Sequence, residues 1–256
     1  MWQVYASEFA SLIGRHPYRS RHETILTILA RAKVVKYKST ETQINEATKQ
    51  LYAGANKPKV IISDKDVAVD IQRAVASGKL DSTAANLLQK HAHQVARKTN
   101  GQVIEEQIVK QDKIRDNNKK AYTLALIPNK VIVIGRIDGQ QQDGKYIEIK
   151  MRNKPIDLTI APPDYDIIQC RLYMAMLQSP SILLREECPA PGVPRLTVLT
   201  SDEKTLEVMK CVAIDTLDQM MQLVSNQSNL SKYQQAVAQK QWSVCDALLL
   251  GSVSNP

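Results

Sequence analysis

The sequence predicts a single α/β domain with a helical N-terminal portion, a mixed, largely antiparallel sheet flanked by helices, and closing helices. Three observations carry that prediction. Capped amphipathic stretches recur through residues 1–100. Short runs rich in β-branched residues, separated by turn signals, fall within 101–200. Two long helical stretches then fill 201–250. A chain of 256 residues with 43% hydrophobic content can build a substantial core, and with one Phe and two Trp that core is mostly aliphatic.

Taken in order, Ser7 is placed to cap a short helix from Glu8 to Ile13 that stops at Gly14, and Pro17-Tyr18 makes a turn. Glu23 to Lys33 is amphipathic through Ile25, Ile28, Leu29 and Ala32. A basic stretch, Lys33 to Lys38, leads to a helix over Glu41–Tyr52, and Gly54 to Pro58 reads as a loop. Asp64 to Ala76 is a helix capped by Ser63 or Asp64, broken at Gly78. Ser82 starts another that runs to about Thr99, where Asn100-Gly101 closes it. Val103–Val109, Tyr122–Ile127, Lys130–Ile137, Tyr146–Arg152 and Arg195–Thr200 read as strands, with a charged hairpin loop over Asp112–Lys120. Helices are expected over Asp164–Leu177, Glu203–Val224 and Ser231–Leu250, a proline-rich loop over Cys188–Pro194, and a loose tail from Gly251.

The chemistry concentrates between Gly135 and Lys150. Gly135-Arg-Ile-Asp-Gly139 ends an apolar strand, Asp143-Gly144 turns the chain, and Tyr146-Ile-Glu-Ile-Lys150 follows. Side chains alternate along a strand, so Glu148 and Lys150 share one face, while Ile147, Ile149 and Met151 share the other. Ile132, Ile134, Arg136 and Asp138 line one face of the preceding strand. A register that sets this face over the next strand brings Asp138, Glu148 and Lys150 together. Charged groups between core isoleucines need partners. An exposed Glu–Lys pair would give the same Glu-x-Lys pattern, but Asp138-Gly139 at the end of an apolar strand favours a site. Two carboxylates and a lysine arranged this way can hold a divalent metal beside a phosphodiester.

The net charge of +8 favours a polyanionic partner. Cys170, Cys188, Cys211 and Cys245 are too widely spaced for a zinc or iron–sulfur cluster and are expected as free thiols, mostly in the core. No apolar run is long enough for a membrane helix, and the first residues lack a signal-peptide pattern. The expected location is intracellular, in the cytoplasm or nucleus, with no membrane partner.

These residues resemble the PD-(D/E)xK nuclease superfamily, and within it the lambda-exonuclease/YqaJ-type viral recombinase group. Three segments carry the resemblance: Tyr5-Ala-Ser-Glu-Phe-Ala-Ser-Leu-Ile-Gly14 with Pro17-Tyr18; Asp138-Gly139 with Glu148-Ile-Lys150; and Gln169-Cys-Arg-Leu-Tyr173, similar to the Gln-x-x-x-Tyr motif of RecB-type members. Together they span about two-thirds of the chain; the middle one is the specific one. The resemblance implies a restriction-endonuclease-like core in which 1–100 form the approach to DNA, 101–200 the catalytic sheet and 201–250 the closing helices. It implies Mg²⁺ or Mn²⁺ held by Asp138, Glu148 and the Ile149 carbonyl, with Lys150, Gln169 and Tyr173 completing the catalytic set. Gln169 and Tyr173 share a helix face, where they contact the DNA backbone, buttress Lys150, or simply form the polar edge of a core helix. Ser7, Arg15, Tyr18, Arg19, Arg136 and Arg152 are the candidate DNA contacts, although capping alone would explain Ser7. Arg21, Arg31, Lys33, Lys36 and Lys38 extend the approach surface or are merely solvated. One element departs from the family pattern: the slot for a further acidic ligand falls near Gln89, so His91, on the inner helix face beside Leu88 and Val95, becomes the auxiliary ligand.

The activity implied is metal-dependent hydrolysis of DNA, most simply by an exonuclease on duplex ends in recombination or repair. The group's members also suggest a single-strand annealing or single-strand-binding partner and a homo-oligomer. The alternatives are an endonuclease of the same superfamily, an RNA-degrading nuclease, and a DNA-binding protein without catalysis.

Overall fold

The computed structural model describes residues 1–53, 58, 60–116, 120–128, 130–152, 154–188 and 193–251. The loop expected over Gly54–Pro58, the centre of the Cys188–Pro194 loop, part of the Asp112–Lys120 hairpin and most of the tail fall largely outside them. Among the described residues the chain forms β1 (Trp2–Tyr5), α1 (Ala6–Leu12), α2 (Arg21–Arg31), α3 (Thr40–Leu51), α4 (Asp64–Ala76), α5 (Ser82–Lys90) and α6 (Ala92–Gln111). Then come β2 (Arg115–Asp116), β3 (Tyr122–Ile127), β4 (Val131–Gly135), β5 (Gly139–Gln140), β6 (Tyr146–Met151), α7 (Asp164–Leu177), β7 (Ser181–Glu187) and β8 (Arg195–Thr200). The helices α8 (Glu203–Ser225), α9 (Gln227–Ala238) and α10 (Trp242–Leu249) close the fold. The α/β class with largely antiparallel pairing is as the sequence predicts: β1 on β4 and β6 on β7 are parallel, and the other ladders are antiparallel.

Two sheets result, ordered β1-β4-β3 and β2-β5-β6-β7-β8. The chain crosses from one to the other between Gly135 and Gly139, so the expected hairpin of neighbouring long strands does not form. The tight hairpin is β5–β6, turned by residues 141–145. The crossover from β6 through α7 to β7 lays α7 against both sheets and α1. That packing is a large aliphatic core, built on Val4, Phe9, Leu29, Val133, Leu172, Leu184 and Leu217. A second apolar cluster, with Ile44, Val67, Ile71 and Leu88, joins α3, α4, α5 and the start of α6. A small third cluster, Ile108, Ile114, Ile147 and Ile149, fixes the C-terminal half of α6 on β6.

Several expectations are corrected. Residues 103–109 are helix, because α6 runs straight through Asn100-Gly101. Gly101 lets α6 approach β6: a Cβ there would lie 3.3 Å from Met151 Cγ. The apolar residues of 103–109 that suggested a strand are Val103 and Ile108, buried by the helix, with Ile104 and Val109 beside them. The helix expected to run unbroken from Ser82 instead breaks at His91, which ends α5 and precedes α6. Ser7 lies inside α1 and caps nothing; the Tyr5 backbone N–H instead donates to Glu8 Oε2 at 3.0 Å. Strands β1 and β7 are additions, and the last predicted helix is split into α9 and α10. Cys170 and Cys245 are buried, Cys188 is half-buried and Cys211 is exposed, all of them free thiols.

Gly135 stands where β4 meets α7. A Cβ on it would lie 2.4 Å from Tyr173 Cε1 and 2.9 Å from Met176 Sδ. Overpacking of this kind costs about 1–3 kcal/mol. Gly135→Ala is expected to lower the unfolding free energy by that amount, seen as a lower urea midpoint with an unchanged slope; an unchanged midpoint would contradict the close contact.

Candidate active site

The β5–β6 register pairs Gly139 with Ile147 and Gln140 with Tyr146, so one step back along β5 Asp138 stands across from Glu148. The Ile149 N–H donates to Asp138 Oδ2 at 2.7 Å and fixes that carboxylate. Glu148 is 3% exposed. Its Oε1 accepts from Lys150 Nζ at 2.7 Å and from Gln169 Nε2 at 3.0 Å. Gln169 Oε1 accepts from the same ammonium at 2.9 Å. Gln169 Nε2 also donates to the Tyr173 hydroxyl at 2.7 Å, and that hydroxyl donates to the Arg136 carbonyl at 2.8 Å. One helical turn of α7, with residues four apart on one face, thereby ties β6 to the segment that carries Asp138. The structure therefore brings Asp138, Glu148, Lys150, Gln169 and Tyr173 into one connected cluster.

The second oxygen of Glu148, Oε2, is buried and has no hydrogen-bond partner among the described residues. An ionised carboxylate oxygen left this way is costly. Burial pushes the Asp138 carboxyl well up, and the negative charges of Glu148 and Glu105 add to the rise against Lys150 and the Ile149 N–H. Glu148 is raised too, by burial first, although Lys150 opposes it. Lys150 is raised as well: burial alone would lower it, but Glu148, Asp166 and Asp138 outweigh burial, so it is held as an ammonium.

Glu105 is the residue that sequence reasoning missed. It lies on α6, one turn beyond Gly101, and its charge acts on both carboxylates. With Gly101, Ile149 and Lys150 it lines a cavity of about 690 Å³, to which Glu41, Asn45, Arg97 and Lys98 also contribute. The misplaced helix end at Asn100-Gly101 shifted attention to Gln89 and His91. His91 sits at the break between two helices and is not in the wall of this cavity. Unbroken 3.6-residue periodicity through Val95, Thr99, Val103 and Ile108 was the signal that could have found Glu105.

The proposed DNA contacts separate into two groups. Arg152 is enclosed by acids, donating to Asp166 Oδ2 at 2.5 Å and to Glu186 Oε1. It neutralises buried carboxylates at the edge of the cavity beside Lys150. Arg19 binds Glu41 at 2.6 Å and the Ser7 carbonyl at 3.4 Å. Arg21 is likewise engaged with Thr216 and Gln219, Arg31 with Glu8, and Lys38 with Glu46. Arg15, Tyr18, Lys33, Lys36, Arg136 and Ser7 are exposed.

As to donors for a divalent metal, no group of three His, Cys, Asp or Glu side chains forms a ready cage among the described residues. The chemistry of the donors still fits a hard cation: Glu148 Oε2 lacks a partner, and Asp138 stands across the ladder from it.

Fold and site together define a mixed α/β protein with a buried Asp–Glu–Lys cluster between two sheet strands and a helix. No family model matches the chain, and no curated protein matches it in sequence. Among solved structures the chain is similar to an alkaline exonuclease (LHK-Exo) from Laribacter hongkongensis, at 13% identity, over 93% of this chain and 94% of that one, with a TM-score of 0.46. It is also similar to a conjectured exonuclease from Eubacterium rectale, at 10% identity, over 87% of this chain and 81% of that one, with a TM-score of 0.41. Among the described residues no helix is long and apolar enough to cross a membrane.

Glu186 is fully buried, and burial alone would raise its carboxyl; the hydrogen bonds and charges of Arg195 and Arg152 outweigh this and lower it. Its stabilisation is therefore present above the unfolded carboxylate pKa and lost as pH falls through the lowered folded value. Removing one partner of such a buried pair costs about 3–5 kcal/mol. Arg152→Ala is expected to lose stability of that order at pH 7 by chemical denaturation, with a smaller deficit at pH values acid enough to protonate the orphaned carboxylates.

Proposed function

We propose that the chain is a metal-dependent DNA nuclease, an exonuclease acting on duplex ends in recombination or repair. The observation that carries this reading is Glu148, with one buried oxygen unpartnered, beside Asp138 and a lysine ammonium. A structural ion pair would satisfy both oxygens; a cation-binding carboxylate keeps one ready.

Asp138, Glu148 and the Ile149 carbonyl would hold Mg²⁺ or Mn²⁺, with Glu105 a further acid whose charge acts on both carboxylates. The bound cation supplies Lewis-acid polarisation of the phosphate and an acidified water. Lys150 is fixed by Glu148 and Gln169, so its ammonium is aimed rather than free. Held charged, it orients the attacking water and offsets negative charge developing on the phosphoryl oxygens. Gln169 positions Lys150 and Glu148 at once, and Tyr173 anchors Gln169 to the Arg136 carbonyl. Arg136, Arg15, Lys33 and Lys36 are exposed cations available to meet flanking phosphates.

End-labelled linear duplex, closed circular DNA and RNA, each with Mg²⁺ and with EDTA, test the reading. Stepwise loss from linear ends alone is the expected result, abolished by EDTA. Cutting of circles would make the protein an endonuclease, degradation of RNA alone a ribonuclease, and binding without cleavage a non-catalytic DNA binder. Asp138→Ala and Lys150→Ala should each lower the rate at least a hundredfold, as for removal of a group that stabilises transition-state charge. Retained activity in either would sink the site.

A thermal readout checks the cation independently of turnover. Mg²⁺ or Mn²⁺ should raise the melting temperature of the wild-type chain, and EDTA should reverse the rise. Without metal, Asp138→Asn should melt no lower than wild type, because it removes a charge that burial and Glu148 disfavour. It should also respond less to the cation. A full response would place the cation elsewhere.

A further inference from the structure

A cluster of three aromatic rings lies one helical turn from the catalytic groups and has no part in the chemistry above. The segment between α1 and α2 carries His16 and Tyr18, and the first turn of α7 carries Tyr165. His16 and Tyr165 stack with centroids 4.5 Å apart and planes tilted by 30°. Tyr18 stands edge-on to His16, with centroids 6.3 Å apart and planes at 78°. The Tyr18 N–H donates to His16 Nδ1 at 3.2 Å, which fixes the loop that presents the second tyrosine.

Its position ties this cluster to the site. Tyr165 Oη accepts from Arg152 at 3.5 Å, and Arg152 lines the cavity that holds Lys150. The next residue, Asp166, lies 3.9 Å from Lys150 Nζ. Three residues further on, Gln169 holds Glu148. Its exposure is the second point. Tyr18 is 86% exposed, so an aromatic face is open to solvent rather than used for packing. Burial, with Arg19 adding to it, lowers the pKa of His16 despite the pull of Asp166 and Glu41, so its ring is neutral at pH 7. Neutral, flat and apolar surfaces next to a phosphodiester-cleaving centre match the face of a nucleobase. Stacking of this kind tolerates any sequence, since every base has a π-face.

We propose that His16, Tyr18 and Tyr165 form a stacking platform that takes an unpaired nucleobase of the strand entering the active site. This rests on the nuclease reading. It adds a substrate form, an end whose last nucleotide is unpaired, to a site otherwise described only by its phosphate chemistry. Each base held on an aromatic face strengthens binding roughly five- to a hundredfold.

The test is an affinity cycle in the Asp138→Asn background, which keeps the DNA uncut. Short duplexes carry a single-nucleotide 5′ or 3′ overhang, either with its base or abasic, and binding is followed by fluorescence anisotropy. For at least one of the two overhangs, the abasic nucleotide should weaken binding by roughly five- to a hundredfold. Tyr18→Ala combined with His16→Ala should bind the base-bearing and abasic ends alike, while Tyr18→Phe should keep the difference. Equal affinities for the two ends in the parent chain would overturn the platform and leave the nuclease reading standing. So would a difference that survives removal of both rings. A parent chain that binds no DNA would overturn both. Circular dichroism of the variants separates loss of the platform from loss of the fold; Tyr18, being largely exposed, should leave the fold intact.

Discussion

Burying Glu148 next to Asp138 is the constraint on which the rest of the site depends. Two carboxylates out of water repel each other and each loses its hydration, so both carboxyls are pushed up. The fold answers with one cation and two directed hydrogen bonds: Lys150 and Gln169 on Glu148, and the Ile149 N–H on Asp138. It stops short of full compensation, since Glu148 Oε2 stays unpartnered among the described residues. A cluster built for stability alone would close that gap. The residual deficit is what supports the proposed cation site.

Holding these groups in place needs a second charged layer. Asp166 lies between Lys150 and Arg152, and Glu186 between Arg152 and Arg195. Acid and base alternate from the cavity wall to the edge strand β8, and every side chain in the chain is at least half-buried. Buried pairs of this sort gain little over apolar residues but are costly to break singly. Their effect here is geometric: they fix α7 against β6 and β7, and α7 supplies Gln169, Tyr173 and the ring of Tyr165.

The helical half of the molecule has a different part. Its apolar cluster, around Ile44, Val67 and Leu88, is separate from the main core. Helix α6 joins the helical cluster to the small third cluster, with its first turns in the former and its last turns against β6 in the latter. The cavity beside Lys150 lies where the two meet, walled by α3 and α6 on one side and β6 on the other. Several arginines of the N-terminal half pin elements together, such as Arg31 on Glu8 and Arg21 on α8.

Local pattern was enough for much of this protein. The α/β class, the helices from Glu41 to Ala76, the strands at 122–127 and 131–135, and the nearness of Asp138 to Glu148 and Lys150 all follow from periodicity, capping and turn residues. These are short-range effects written in consecutive side chains. What local pattern could not supply depended on partners distant in sequence. Asn100-Gly101 reads as a helix end, yet α6 continues because Gly101 packs on Met151 and its apolar face meets both cores. That continuation is what brings Glu105, rather than Gln89 or His91, towards the carboxylates. Arg152 reads as a phosphate contact until Asp166 and Glu186 are seen to enclose it. The sequence by itself determined that Asp138, Glu148 and Lys150 belong together, because turn residues and strand alternation fix their faces. Only the tertiary structure decided which charges are spent on one another and which remain for a ligand, because neutralisation and burial depend on side chains brought together from across the fold.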